Sequence, residues 1–155
     1  MTTIRAEATA WLTATPDSVF ALVTDIERLP EWNTHIHHVV QAPSRLAEGA
    51  EWVVEMRALG TRWDSRSTAL AIDPAKRTFA HRTQTDDDNP SYALWTWRVR
   101  DHGTGAEVTV KWELHPKTFW RRRLLAAVRH RQLKKETRVS LAAADRILAL
   151  DRADA

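Results

Sequence analysis

The sequence predicts an α+β domain in which a seven-stranded antiparallel sheet faces one long C-terminal helix. Three features point to it. Six runs between residues 35 and 114 read as strands joined by short turn signals, the pattern of an antiparallel meander. Residues 13–33 insert two short helices after a first strand. From Thr118 to about Leu150 neither Gly nor Pro interrupts the chain, and apolar residues recur at helical spacing.

Ile4 to Thr13 reads as the first strand. Thr15 or Asp17 can cap a first helix, and Pro16 fits its first turn, where a missing N–H costs nothing. Val19, Phe20, Leu22 and Val23 give that helix one apolar side. Asp25 can cap a second short helix through Ile26, Glu27, Arg28 and Leu29, with Pro30 near its end. His35 to Gln41 is the second strand, and Pro43 to Gly49 a loop. Glu51 to Leu59 alternates Trp52, Val54 and Met56 against Glu51, Glu55 and Arg57, which gives a strand with one wet face. Gly60 makes a turn into the strand Thr61 to Ile72, and Asp73, Pro74, Ala75 and Lys76 turn the chain into Arg77 to Thr85. After the polar loop Asp86 to Pro90, Ser91 to Arg100 places Trp95, Trp97 and Val99 on one side. Residues 101–105 form a hairpin turn, and Glu107 to Leu114 places Val108, Val110, Trp112 and Leu114 on one face. Pro116 closes that strand.

In the final helix Leu133, Thr137, Ser140, Leu141, Ala144, Ile147 and Leu148 form one stripe. Trp120, Leu124 and Val128 form another, slightly out of phase, so the helix bends or buries two faces in succession. One helix cannot fill the inner face of seven strands; side chains or a cavity must occupy the rest.

The chain has 155 residues, which fits one domain spanning 1–155. It has no Cys, hence no disulfide framework and no thiol nucleophile, as suits a reducing compartment. No apolar run approaches a membrane span, and the N-terminal residues lack the apolar core of a signal peptide. The expected location is cytoplasmic. Residues 1–116 carry 12 Lys/Arg and 16 Asp/Glu, whereas residues 117–155 carry 11 and 4, so the net +3 resides in the C-terminal segment. A solvated helix face accounts for such a run; contact with RNA, the ribosome or a membrane surface is the functional alternative, and DNA is not expected. Aromatic residues interleaved for base stacking are missing there, apart from Trp120. No Gly-x-Ser-x-Gly, phosphate-cradling Gly-rich loop or dinucleotide fingerprint occurs, which disfavours covalent catalysis and nucleotide binding and leaves no cofactor implied.

The segment Ala14 to Asn33, ATPDSVFALVTDIERLPEWN, resembles the START-like (SRPBCC, or Bet v 1-like) superfamily, most nearly its bacterial polyketide cyclase/dehydrase group. Glu48 to Trp52, Leu70 to Pro74 and Trp95 to Val99 support the resemblance, which covers nearly the whole chain. It implies a helix-grip fold: a strongly curved antiparallel sheet around the C-terminal helix, with a hydrophobic cavity between them. Members bind lipids, sterols, polyketides, quinones or hormones; some are aromatases or cyclases, and others bind proteins or the ribosome. Fold alone does not choose among these.

Eight tryptophans are the foremost candidates. Trp52, Trp95, Trp97 and Trp112 share the apolar phase of their strands and should point at one concave space, as core packing or as an aromatic-walled pocket. The expected ligand-binding set is Trp32, Trp52, Val54, Met56, Trp63, Phe79, His81, Tyr92, Trp95, Trp97, Trp112, Leu133, Thr137 and Leu141. His81 shares a phase with Phe79 and is the candidate catalytic acid or base, against the plainer reading of a satisfied structural histidine. On a regular strand His35 and His37 share a face and His38 takes the other; no third ligand has the spacing of a zinc site, so they read as surface or cavity-mouth histidines and no metal is expected. Arg62, Asp64 and Arg66 alternate with Trp63, Ser65 and Ser67 without revealing the inward side. The leading expectation is binding of a hydrophobic small molecule, followed by a cyclase or aromatase with a cavity acid or base, then an interaction protein acting through its basic helix.

Overall fold

The computed structural model describes residues 3–58, 60–85, 90–117 and 126–154, with side chains in the last helix from residue 131 onward. The chain runs β1 (Ile4–Leu12), α1 (Pro16–Val23), a 3₁₀ turn (Ile26–Arg28), α2 (Leu29–Trp32), β2 (Ile36–Gln41), β3 (Glu51–Ala58), β4 (Thr61–Asp73), β5 (Thr78–Thr85), β6 (Tyr92–His102), β7 (Gly105–His115) and α3 (Ala126–Ala153). The strands form one curved antiparallel sheet in the order β1-β7-β6-β5-β4-β3-β2. From β2 to β7 it is a meander, and β1 closes onto the last strand, pairing Ile4 with Leu114 and Leu12 with Ala106.

Local chemistry sets the helical insertion. Thr15 caps α1 by accepting from Ser18 N at 3.3 Å, and Pro16 occupies its first turn. Val19, Phe20, Leu22 and Val23 are buried. The second helix differs from expectation. Asp25 makes no side-chain capping bond; a 3₁₀ turn comes first, and Pro30 lies in the first turn of α2 rather than near a helix end. The reason is that proline lacks only an N–H that the first turn leaves unused anyway.

At the β6–β7 hairpin, Gly103 has φ +58 as first central residue, the position a type II′ turn reserves for glycine. Gly105 follows because β7 starts hard against the end of β1: a Cβ there would run into the Leu12 carbonyl oxygen. On β7, Ala106, Val108, Val110 and Trp112 are fully buried at the centre of the core.

Leu133, Thr137, Ser140, Leu141, Ala144 and Leu148 form the buried stripe of α3, with Ile147 half-buried beside it. The start expected at Thr118, Trp120 and Leu124, and residues 121–125 of the basic run lie outside the described residues, as does the side chain of Val128. Two polar clasps fix α3 to the N-terminal third. Asp145 Oδ1 accepts from Thr13 N at 3.0 Å, Thr13 Oγ1 at 2.9 Å and Ala14 N at 3.3 Å, where β1 gives way to α1. Arg28 donates to Glu31 at 2.8 Å and to Asp151 at 3.1 Å, tying α2 to α3. Among the described residues no helix is long and apolar enough to cross a membrane.

Candidate ligand-binding site

A cavity of about 130 Å³ lies between the sheet and α3. Strand parity builds its walls. Trp52, Val54 and Met56 on β3, Ser65 and Ser67 on β4, Phe79, His81 and Thr83 on β5, and Trp95 and Trp97 on β6 are alternate residues that share the inner face. Leu29 and Trp32 close one side from α2, and Leu133, Glu136, Thr137 and Ser140 face the sheet from α3.

The aromatic groups pack as one cluster. His81 lies 5.1 Å from Phe79 and 5.5 Å from Trp52, centroid to centroid, and is nearly parallel to Trp95 at 6.3 Å. Trp32 meets Trp97 edge to face at 5.9 Å. Such contacts stabilise by about 0.5–1.5 kcal/mol each beyond the area they bury.

His81 is hydrogen-bonded through both ring nitrogens. Trp97 Nε1 donates to its Nε2 at 3.1 Å, and its Nδ1 lies 3.2 Å from Thr83 Oγ1. It forms part of the cavity wall. Burial among aromatic rings disfavours the imidazolium and pushes its pKa down to about 3. Thr83 Oγ1 is in turn 2.9 Å from Ser67 Oγ, and Ser65 Oγ donates to the Gln84 carbonyl at 3.4 Å. At the cavity's rim His35 Nε2 is 3.2 Å from Glu136 Oε1, and His35 Nδ1 is 3.2 Å from the Arg57 carbonyl, so one ring links α3 to β3.

Of the residues expected from the sequence, Trp32, Trp52, Val54, Met56, Phe79, His81, Trp95, Trp97, Leu133 and Thr137 line this cavity. Four do not. Trp63 has the inward parity of Ser65 but sits opposite Met56, towards the end of its hairpin, and is half-buried. Tyr92 is three residues from Trp95, which on a strand means the opposite face; its ring stacks on His115 at 4.5 Å with the Arg82 guanidinium 4.0 Å above it. Trp112, one strand beyond β6, is 1% exposed and packs on Trp95 within the core. Leu141, a turn beyond Thr137, is fully buried. Sequence reading left the face of Ser65 and Ser67 open, placed His35 only within a group of surface or cavity-mouth histidines, and missed Thr83 and Glu136.

The histidine cluster differs too. Ile36 pairs with Met56 and His38 with Glu55, so His37 is an extra residue in a β-bulge. Parity breaks there, and His37 and His38 stand side by side, 5.6 Å apart and exposed, with Glu55 close by. Glu55 is already paired with Arg57 at 3.0 Å, which a cation would have to displace. The described part of the basic segment, Arg131, Lys134, Lys135 and Arg138, is exposed.

Residues 3–146 match the family model for polyketide cyclase/dehydrase and lipid transport. The chain belongs to that family. It is thus a START-like protein, and the sheet gripping α3 is the helix-grip arrangement. No curated protein matches it by sequence. Among solved structures, Ara h 8.0201 is 15% identical with a TM-score of 0.76, over 96% of this chain and 99% of that one. TTHA0849 from Thermus thermophilus is 16% identical with a TM-score of 0.76, over 96% and 99%. The di-domain aromatase/cyclase StfQ from the steffimycin biosynthetic pathway is 14% identical with a TM-score of 0.76; 99% of this chain aligns with 52% of that one. At such identities these likenesses show the fold alone.

Proposed function

We propose that this START-like protein binds a small, flat hydrophobic molecule between the sheet and α3. The observation that carries this reading is the aromatic cavity wall made by Trp32, Trp52, Phe79, Trp95 and Trp97. Flat faces and edge contacts of this kind suit an aromatic ring. At about 130 Å³ the cavity compares with the ~150 Å³ apolar cavities that accept benzene. One ring fits as the site stands; a fused polyketide or a lipid chain requires it to open. The lack of Cys supports a reducing, cytoplasmic setting.

A cyclase or aromatase is the second reading, favoured by the family and by the aromatase/cyclase among the structural neighbours. His81 is its candidate proton-transfer group. Binding ranks first because both His81 nitrogens are engaged within the wall and burial keeps the ring neutral well below physiological pH.

Tryptophan emission and thermal unfolding, followed against single-ring aromatics, naphthoquinones, fatty acids and aromatic polyketides, test the proposal. The expected result is a saturable emission change with a rise in Tm for the aromatic ligands. No response to any of these classes would remove the binding role.

A further inference from the structure

We infer that the ligand of this cavity carries a neutral oxygen acceptor, of the aryl ketone or aldehyde class, seated against the paired hydroxyls of Ser67 and Thr83. The inference rests on the cavity being a binding site, and it follows from counting protons along one hydrogen-bonded chain.

The chain runs Trp97, His81, Thr83, Ser67 across β6, β5 and β4. An indole N–H only donates. With Trp97 Nε1 3.1 Å from His81 Nε2, that nitrogen presents its lone pair. A neutral imidazole has one proton, which therefore sits on Nδ1 and is given to Thr83 Oγ1 at 3.2 Å. Thr83 and Ser67 then share one hydrogen bond, 2.9 Å long, with a proton on each hydroxyl. Whichever donates to the other, one O–H proton is left over. No described residue accepts it, both side chains line the cavity, and Ser67 is only 4% exposed. A buried donor without an acceptor costs about 1–3 kcal/mol, so this edge of an otherwise aromatic wall selects for an acceptor. Neighbouring Ser65 has lone pairs to offer, but no hydrogen bond joins it to Ser67 or Thr83; its own proton goes to the Gln84 carbonyl.

The surplus originates at Trp97, the only member of the chain that gives a proton and takes none. Trp97 and His81 are thus positioning residues for ligand recognition: they set which way the chain points. With phenylalanine at 97, the His81 proton can move to Nε2, the chain can reverse, and the surplus leaves the hydroxyls.

Acetophenone and α-methylstyrene differ by C=O against C=CH₂ at nearly constant shape, and their affinities for the wild-type protein and for Trp97→Phe test the inference. The acetophenone-to-α-methylstyrene affinity ratio should be about three- to tenfold higher in the wild type than in Trp97→Phe, the worth of one neutral hydrogen bond. Comparing the two ratios cancels both the greater hydrophobicity of the alkene and the enlarged cavity of the variant, because each enters both. If that variant does not fold, ¹⁵N chemical shifts of His81 in the wild type provide the second measurement, and they should report the Nδ1–H tautomer. The same affinity ratio in the wild type and in Trp97→Phe, or an Nε2–H tautomer, overturns the inference while leaving the binding role standing. Binding of neither probe overturns both.

Discussion

His81 makes a quantitative demand on the pH dependence of stability. Its pKa is about 3 in the folded protein against 6.5 when free. Above pH 6.5 the ring is neutral whether the chain is folded or not, and it contributes no slope. Between 6.5 and about 3 the unfolded chain takes up a proton that the folded chain refuses. Stability must therefore fall as pH falls through this window, by up to about 1.4 kcal/mol per pH unit, and the loss ends below about pH 3. At about pH 5 the loss is roughly 2 kcal/mol. His81→Phe keeps a ring among Phe79, Trp52 and Trp95 and abolishes the titration. It also leaves Trp97 Nε1 without its acceptor, a pH-independent cost of about 1–3 kcal/mol. Urea unfolding of both proteins at pH 7.5, 6 and 5 isolates the contribution of this ring, since all other groups are common to the two. The stability gap between wild type and variant should narrow by roughly 2 kcal/mol from about pH 7.5 to about pH 5. A gap constant with pH would refute the picture of a neutral, protonation-resistant His81.

Three further outcomes follow from packing and capping. Asp145→Ala strips the acceptor from Thr13 N, Thr13 Oγ1 and Ala14 N and should cost about 1–3 kcal/mol in urea unfolding, whereas an unchanged midpoint would mean that water replaces the carboxylate fully. Leu141→Ala, at a fully buried position on α3, should cost about 2–5 kcal/mol; a loss under about 1 kcal/mol would show that α3 closes the void by shifting. Gly105→Ala drives a Cβ into the Leu12 carbonyl, a backbone contact that no rotamer relieves, and should lower stability by about 1–3 kcal/mol or more, whereas a neutral result would show that the β1–β7 junction can spread.

The order of elements was legible because strand alternation and the Thr15–Pro16 helix start are encoded within a few residues. Much of the cavity wall was legible for the same reason: Trp52, Phe79, Trp95 and Trp97 announce their face by parity. Tyr92 fails that same parity test, and its placement in the site set aside a signal the sequence did contain. The inward side of β4 was not legible, since Ser65 and Ser67 carry no apolar label; their burial together with Ala69 is what fixes it. The bulge at His37 left no trace either, because an inserted residue shows only in the pairing register. Nor did the contacts of Asp145 with Thr13 or of His35 with Glu136, which join residues about a hundred or more positions apart. Those depend on how the sheet curves round α3.

The pairing of β1 with β7 alone has a consequence for biosynthesis. The first strand leaves the ribosome early, yet its hydrogen-bonding partner, residues 105–115, is made about a hundred residues later. The acceptor for the backbone at Thr13 and Ala14 emerges later still, at Asp145. Until then β1 is an unpaired edge, the kind of segment that recruits other chains. Its inward residues include Ala6, Ala8 and Ala10, small side chains that offer little adhesive surface, and Glu7 charges its outer face. The modest alanine pattern of the first strand thus suits a segment that must wait in the open, and the closing of β1 onto β7 is the natural late step in a topology that folds over about milliseconds to seconds.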